Sequence, residues 1–174
     1  INGKKQDNSK DLGYFNKDDG ELTIKLVESN LKEAYVTKDG IKLDIDLTNE
    51  FKLSEDGKYI LYAIDKAGTK TEINFEIDTT DPIIKLFADN GKELENGVFT
   101  TKTVKVVVEG EESYTAKLLQ NENEIEFVEN KFYDNGNYEL GVTDAAGNET
   151  SITFNVDKVK PAFYINGKKQ DNSK

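Results

Sequence analysis

The sequence predicts an all-β protein made of two tandem Greek-key β-sandwiches. Short runs rich in Val, Ile, Thr, Tyr and Phe follow one another along the chain, separated by clusters of Gly, Asn and Asp. Such runs at roughly ten-residue spacing are typical of sandwiches and barrels. Helical periodicity is nearly absent. A closing segment of the same pattern occurs in each half, which indicates one sandwich per half.

The closing segment alternates between apolar and polar residues, as a strand with one buried face does. The alternating apolar positions of the two copies are Tyr59, Leu61, Ala63, Ile73, Phe75 and Ile77, and Tyr138, Leu140, Val142, Ile152, Phe154 and Val156. Between the two runs, Gly68 and Gly147 supply the positive φ of a tight turn, and we expect the same of Asn148. Each half is therefore predicted to end in a β-hairpin.

Earlier strands are shorter and less regular. They are predicted at residues 22–26, 34–36 and 41–45 in the first half and at 83–87, 104–108, 114–119 and 125–128 in the second. Residues 38–40 and 121–123 would form hairpin turns, and 104–108 would correspond to 24–28. About seven strands in about eighty residues is typical of a Greek-key sandwich.

Ten residues at the start of the chain recur at its end, because Ile1–Lys10 and Ile165–Lys174 are identical. Identity over ten residues of mixed composition indicates a piece of a tandem array. The first domain is then expected to lack half of its opening strand, and residues 161–174 to open a further repeat. We expect Phe163, Tyr164 and Ile165 to add as a strand to the first domain of a neighbouring molecule, head to tail.

Two prolines follow the closing segments, and each ends a short linker. Pro82 lies between the two halves, and Pro161 lies after the second. We therefore predict one domain at 1–81 and another at 82–160, with 161–174 belonging to the next repeat. Besides the neighbouring molecule, the expected partners are the adjacent repeats of the same chain.

The composition excludes several kinds of chemistry. The chain has no Cys, His, Met, Trp or Arg, so its 23 basic residues are all Lys. A Ser-His-Asp triad, a thiol nucleophile and a Cys/His zinc site cannot be built from these residues. The net charge of −11 is spread over both halves, which disfavours nucleic acid as a partner. No apolar run approaches the length that spans a bilayer, so membrane insertion is not expected.

The residues before the penultimate strand of each half resemble the tyrosine corner of immunoglobulin-fold domains. The second copy reads Asp-Asn-Gly-Asn-Tyr up to Tyr138, and the first reads Glu-Asp-Gly-Lys-Tyr up to Tyr59. The whole closing pattern resembles the bacterial immunoglobulin-like repeats of Gram-positive surface proteins and adhesins. This resemblance implies an extracellular, cell-wall-anchored stalk module without enzymatic activity. The family's cysteine and tryptophan core residues are absent, and Leu140 and Leu61 stand at the cysteine position.

Carboxylates in the linker raise the question of a calcium site. Asp78 and Asp81 lie at the first junction, and calcium is bound by six to eight oxygens in proteins. The second junction carries Lys158 and Lys160 in place of a second acid. If calcium stiffened every domain junction, both junctions would carry the carboxylates to bind it. A solvated linker is therefore favoured, and no cofactor is expected.

Two further kinds of chemistry are weighed and disfavoured. An isopeptide bond between Lys85 and Asn155 would need a buried amide, but alternation turns Asn155 outward. Paired carboxylates such as Glu111 and Glu112 could act in glycoside hydrolysis, yet in so acidic a chain they are more typical of a wet loop. We expect a structural stalk module. Two alternatives stay open, a ligand-binding adhesin module for a host protein or glycan, and an accessory module of a large secreted enzyme.

Aromatic residues outside the closing segments are weighed as a platform for sugar rings. The candidates are Tyr14, Phe15, Phe99, Tyr114 and Phe127. Such residues more often belong to a core, so the platform is the disfavoured interpretation. The sequence does not identify a host ligand.

Overall fold

The computed structural model describes residues 1–6, 9–111, 113–128 and 130–170. Every regular element within these residues is a β-strand, and the all-β fold class is confirmed. No helix among them has the length and apolar character needed to cross a membrane. The chain divides into two compact units.

The first compact unit comprises Ile1–Pro82, Ser113–Thr115 and Thr143–Glu149. Its strands are β1 (Lys10–Phe15), β2 (Leu22–Ile24), β3 (Leu31–Lys38), β4 (Ile41–Lys42), β5 (Phe51–Leu53), β6 (Gly57–Asp65) and β7 (Lys70–Ile77). One sheet has the order β1-β7-β6-β3-β4, and the other pairs β2 with β5. The chain changes sheet between β1 and β2, β2 and β3, β4 and β5, and β5 and β6, as in a Greek key.

The second compact unit comprises the described residues of Ile83–Glu112, Ala116–Val142 and Thr150–Lys174. The strands from here to the end of the described chain are β8 (Ile83–Ala88), β9 (Glu93–Leu94), β10 (Val98–Thr100), β11 (Val104–Glu109), β12 (Tyr114–Gln120), β13 (Asn123–Ile125), β14 (Lys131–Phe132), β15 (Gly136–Asp144), β16 (Glu149–Val156), β17 (Phe163–Ile165) and β18 (Lys168–Gln170). They form sheets β10-β16-β15-β12-β13 and β14-β11-β8-β9, and the separate hairpin β17-β18.

Each unit has its own core of aliphatic and aromatic side chains from both sheets. The first core contains Leu22, Ile24, Val36, Leu53, Tyr59, Ile73, Phe75 and Ile77. The second contains Leu86, Val104, Val106, Leu118, Phe132, Tyr138, Leu140, Val142, Ile152, Phe154 and Val156. The closing segments supply the largest share of both cores because their inward faces carry a large apolar residue at nearly every second position.

The structure corrects the alignment of one earlier strand. Val104 lies opposite Phe132, and Leu22 lies opposite Leu53 in the first unit. The strand β11 therefore corresponds to residues 22–27, and the predicted match with 24–28 is two residues out. Apolar residues at alternate positions fit both alignments equally well, so alternation alone could not distinguish them.

Two hairpins also differ from their predicted form, one in its turn and the other in the length of a strand. The turn between β12 and β13 consists of Asn121 and Glu122, with φ of 49° and 67°, and is one residue shorter than predicted. The strand β4 ends at Lys42 instead of residue 45, although the N–H of Leu43 still donates to the carbonyl of Val36 at 2.9 Å.

Candidate functional site

The two predicted corner tyrosines are buried at the starts of β6 and β15. The Tyr59 hydroxyl donates to the carbonyl of Glu55 at 2.7 Å, and the Tyr138 hydroxyl donates to the carbonyl of Asp134 at 3.1 Å. The Gln120 amide donates to the Tyr138 hydroxyl at 2.9 Å. Burial raises the pKa of both hydroxyls, so both remain protonated donors at neutral pH. That these tyrosines stabilise the corner before each strand stays a prediction.

The closing turns share one geometry in both copies. Gly68 and Gly147 have φ of 92° and 93°. The carboxylate of Asp65 accepts from the N–H of Thr69 at 2.8 Å, which lowers the pKa of Asp65. A β-carbon on Gly68 would meet nothing within 4 Å, whereas one on Gly147 would lie 3.1 Å from the side-chain nitrogen of Asn16.

Asn148 has a different role from the predicted one. Its φ is not positive, and its side chain is completely buried in the first compact unit. The side-chain amide donates to the Asp144 carboxylate at 2.9 Å and to the carbonyl of Asp78 at 2.8 Å. The N–H of Asn148 also donates to Asp144, at 2.8 Å. The first copy has Thr69 at this position. This difference between the copies is the feature of the sequence that could have indicated a separate role for Asn148.

The linker carboxylates are held by separate partners. Asp81 pairs with the ammonium of Lys17, and Asp78 accepts from the N–H of Thr80 at 3.1 Å. In the part of the chain that the structure describes, no group of three or more acidic side chains has the arrangement of a metal site. The linker prolines differ, since Pro82 is buried and Pro161 is exposed.

The other candidate chemistries are not assembled. Lys85 binds Glu109 at 2.7 Å on one sheet, whereas Asn155 hydrogen-bonds Asn137 on the other. Glu111 lies in a loop, and Glu112 is outside the described residues.

The predicted aromatic platform is divided between core and surface. Phe15 packs edge-on against Phe75 with 5.5 Å between ring centroids, and Phe127 packs on the second core. Tyr14, Phe99 and Tyr114 are exposed.

An aromatic pair that the sequence did not suggest lies on the outer face of β3 and β6. The rings of Tyr35 and Tyr62 stack at 4.7 Å, and the ammonium of Lys42 lies 5.3 Å from the Tyr35 centroid. Tyr35 and Tyr62 are direct cross-strand partners, but this register was not predictable from alternation.

One cavity in the first unit is an open groove of about 580 Å³. Residues 23–28 line it, together with Ile1, Leu61 and Ile73. The strand β2 ends at Ile24, and beyond it Val27 is 80% exposed. We call this cavity the first-unit groove.

The start of the chain pairs with β2 at one end of this groove. The N–H of Asn2 donates to the carbonyl of Thr23 at 2.8 Å, and the N–H of Thr23 donates to the Asn2 side chain at 2.8 Å. Ile1 packs against the first core. A tight turn follows, in which the N–H of Lys4 donates to the carbonyl of Ile1 at 2.9 Å.

The hairpin β17-β18 repeats this turn with its apolar side chains exposed. Asn166 and Gly167 have φ of 48° and 75°, and Asn2 and Gly3 have φ of 46° and 73°. Ile165 lies opposite Lys168 across the turn. Phe163, Tyr164 and Ile165 are 74%, 67% and 60% exposed.

Comparisons with known proteins give likeness to solved structures alone. No protein-family description and no curated protein match the sequence. One similar structure is the Bacteroides ovatus mixed-linkage glucan utilization locus protein SGBP-B with a mixed-linkage heptasaccharide, at 16% identity and a TM-score of 0.31. It matches over 83% of this chain, which spans 42% of that protein. Another is the tandem Ig repeats of Dlar, at 13% identity and a TM-score of 0.23, over 72% of this chain and 82% of that one. The fold assignment rests on the strand order described above.

Proposed function

We propose that this chain is a structural repeat module of a bacterial cell-surface protein, of the bacterial immunoglobulin-like kind, which acts as a stalk that projects a distal region. The observation that carries the proposal is the identity of Ile1–Lys10 and Ile165–Lys174. The two copies form the same turn, and in the first unit that turn pairs with the sandwich strand β2.

The topology of both sandwiches supports a force-bearing role. β1 runs parallel to β7, with Lys10 opposite Ile73 and Phe15 opposite Ile77. When the ends of a sandwich are pulled apart, an early strand is drawn toward its start and the last strand toward its end. Because the two strands are parallel, their hydrogen bonds are loaded along the strand axis and must break together.

The second sandwich repeats this arrangement with a shorter strand. β10 pairs in parallel with β16, with Val98 opposite Phe154 and Thr100 opposite Val156. The N–H of Gly97 donates to the carbonyl of Thr153 at 2.8 Å. Since N–H groups alternate in direction along a strand, the N–H of Phe99 points to the same neighbour.

Single-molecule pulling on the full chain, held at its two ends, tests the proposal. We expect two resisted unfolding events, each releasing on the order of 250 Å for about 80 residues. Phe99→Pro removes one N–H from the parallel pair and should lower the force of one event. Phe99→Ala is the matched control, because the exposed side chain contributes little to the core. Unfolding of the wild-type chain without a resisted event would overturn the proposal.

The flanking gene sequence provides a second test. An anchor signal and many near-identical copies would support the stalk. A catalytic domain in the same chain would instead support the accessory module of a secreted enzyme.

Ligand binding is a second candidate function, and the stacked Tyr35–Tyr62 pair favours it. Aromatic faces on an outer sheet surface can stack against sugar rings, and Lys42 adds a hydrogen-bond donor beside them. A glycan array probed with the full chain tests this candidate. Binding that Tyr62→Ala abolishes would support it, and no binding to any glycan would exclude it.

A further inference from the structure

We propose that the outer face of the five-stranded sheet in the second unit binds a neutral, β-linked hexose chain. The Phe99 ring stacks on a sugar face, and the side-chain amides of Asn137 and Asn155 bind sugar hydroxyls. This face belongs to a different sandwich from the Tyr35–Tyr62 pair. The proposal is also independent of the force-bearing role, which does not involve these side chains.

The proposed site is an open depression of about 370 Å³ that crosses the strands β10, β16, β15 and β12. Neighbouring strands lie about 4.8 Å apart, so four strands span about 14 Å, which is the length of about two or three hexose rings. We call this site the Phe99 surface, and the residues that line it include Phe99, Leu119, Asn137, Glu139, Thr153 and Asn155.

Alternation along the strands places the polar side chains of the Phe99 surface on the solvent side of the sheet. Asn155 lies between two buried residues of β16, and Asn137 and Glu139 flank the buried Tyr138 on β15, so all three point outward. Phe99 lies opposite Asn155 and is 79% exposed. The surface therefore combines an exposed aromatic ring with hydrogen-bonding groups, as small-molecule sites do.

A pair of amides occupies the centre of the Phe99 surface. The side-chain nitrogen of Asn155 donates to the side-chain oxygen of Asn137. The Oδ1 atom of Asn155 is buried and has no hydrogen-bond partner within the part of the chain that the structure describes. A buried acceptor without a donor costs free energy. A ligand hydroxyl that enters between the amides and donates to this atom removes that cost.

The first unit has the same arrangement with different chemistry. Tyr14 lies opposite Glu76, as Phe99 lies opposite Asn155. Glu76 in turn forms an ion pair with Lys58 at 3.9 Å. An ion pair satisfies its two charges by itself, whereas each neutral amide offers both a donor and an acceptor to a ligand. This difference favours the second unit as the binding face.

The chemistry of the Phe99 surface fits a neutral sugar chain. Hydroxyls both donate and accept, as side-chain amides do, and a hexose with equatorial hydroxyls presents an apolar face of C–H groups to an aromatic ring. β-Linkage of such rings gives an extended chain that can lie across an open sheet. Among the described residues that line the surface, the charged ones are Glu122 and Glu139. Their carboxylates accept from neutral hydroxyls and repel an anionic ligand.

Three hexamers of one β-1,4-linked backbone test the proposal by NMR titration of the full chain. Cellohexaose is neutral, its glucuronate counterpart carries a carboxylate on each ring, and its glucosamine counterpart carries an ammonium. We expect cellohexaose to shift the side-chain amide signals of Asn137 and Asn155 with a dissociation constant on the order of 1 mM, and the glucuronate hexamer to leave them unchanged. No shift up to about 10 mM cellohexaose, or shifts with the glucosamine hexamer alone, would overturn the proposal.

The equivalent aromatic residues of the two sandwiches provide a matched pair of variants. Phe99→Ala should weaken cellohexaose binding by about 10-fold, because the sugar loses the ring on which it stacks. Tyr14→Ala removes the equivalent ring of the first unit and should change binding by less than about 2-fold. Equal effects of the two variants would overturn the proposal. So would binding that Tyr62→Ala abolishes and Phe99→Ala leaves unchanged.

Exchanging the amide pair for the ion pair of the first unit tests the polar half of the site. The double variant Asn137→Lys with Asn155→Glu should fold, because Lys58 and Glu76 occupy the same positions of the first sandwich. We expect it to bind cellohexaose at least about 10-fold more weakly than the wild type. Circular dichroism of each variant verifies that it is folded. Undiminished binding by the folded double variant would contradict the proposal.

Discussion

In the second unit β8 pairs with six residues of β11, whereas in the first unit Asn2 meets the corresponding strand at Thr23. The closing hairpins β6-β7 and β15-β16 nevertheless have the same turn, with φ of 92° at Gly68 and 93° at Gly147. The closing hairpin therefore takes the same form in both sandwiches, although the pairing beside it differs. The core rim differs, since Leu140 is fully buried whereas its counterpart Leu61 is only half-buried beside the first-unit groove.

The largest expected effect tests this difference in burial. Leu140→Ala should destabilise the second unit by about 3–5 kcal/mol, because it leaves a cavity in a closed core. Leu61→Ala should cost about 1–2 kcal/mol, because part of the side chain already faces the groove. Hydrogen exchange of β15 and β6 peptides in the full chain measures each unit separately. Equal losses would mean that the groove does not weaken the first core.

Alanine at the turn glycines separates backbone strain from crowding. Gly147→Ala should cost about 2 kcal/mol and Gly68→Ala about 1 kcal/mol. Both positions have a φ that a β-carbon disfavours, but only at Gly147 would that carbon press on the Asn16 side chain. Thermal unfolding followed by calorimetry gives both values. A larger loss at Gly68 would contradict the role assigned to this contact.

Replacing each corner tyrosine by phenylalanine compares the hydrogen bonds that the two hydroxyls make. Tyr138→Phe should cost about 1.5–2 kcal/mol, because the Asp134 carbonyl loses its donor and the Gln120 amide loses the nearer of its two acceptors. Tyr59→Phe should cost about 1 kcal/mol, since its hydroxyl donates to the carbonyl of Glu55. Urea denaturation of both variants provides the comparison. Losses of unfolding free energy near zero for both variants would contradict a structural role for the two hydroxyls.

The smallest expected effect is a loss of stability at acid pH, where Asp56 becomes protonated. Asp56 accepts from the N–H of Thr79 at 2.9 Å, and Asn135 accepts from the N–H of Lys158 at 3.0 Å at the equivalent position. Desolvation by itself raises the pKa of Asp56, but hydrogen bonds from Thr79 and Thr80 outweigh it and lower the pKa. With a folded pKa below the unfolded value, the stabilisation is present above about pH 4 and is lost as the pH falls through the folded pKa.

The amide proton shift of Thr79 measures this titration by NMR. Its midpoint should lie below 3.8, the usual value for an aspartate. Asp56→Asn should abolish this titration, and Asn135→Asp should create one at Lys158. A midpoint at or above the usual value would contradict the assigned hydrogen bonds.

Alternation predicted the parts of the fold in which every second residue is large and apolar. The hairpins β6-β7 and β15-β16 follow from it, because such a pattern has one stable way to bury its face. It could not predict the register of β2, the burial of Asn148 or the stacking of Tyr35 on Tyr62. These depend on which residue lies opposite across a long sequence separation. The first-unit groove likewise depends on how residues pair across a long sequence separation, which alternation does not specify.

In both cores the sheets are held together by packing of aromatic and aliphatic side chains. In the second core Tyr138 and Phe154 stack at 4.9 Å, and Phe132 packs on both of them. The chain contains neither Cys nor Met. Thiols and thioethers are the side chains that peroxide oxidises, and disulfides are the bonds that reductants open. The packing of both sandwiches is therefore indifferent to the redox state of the medium.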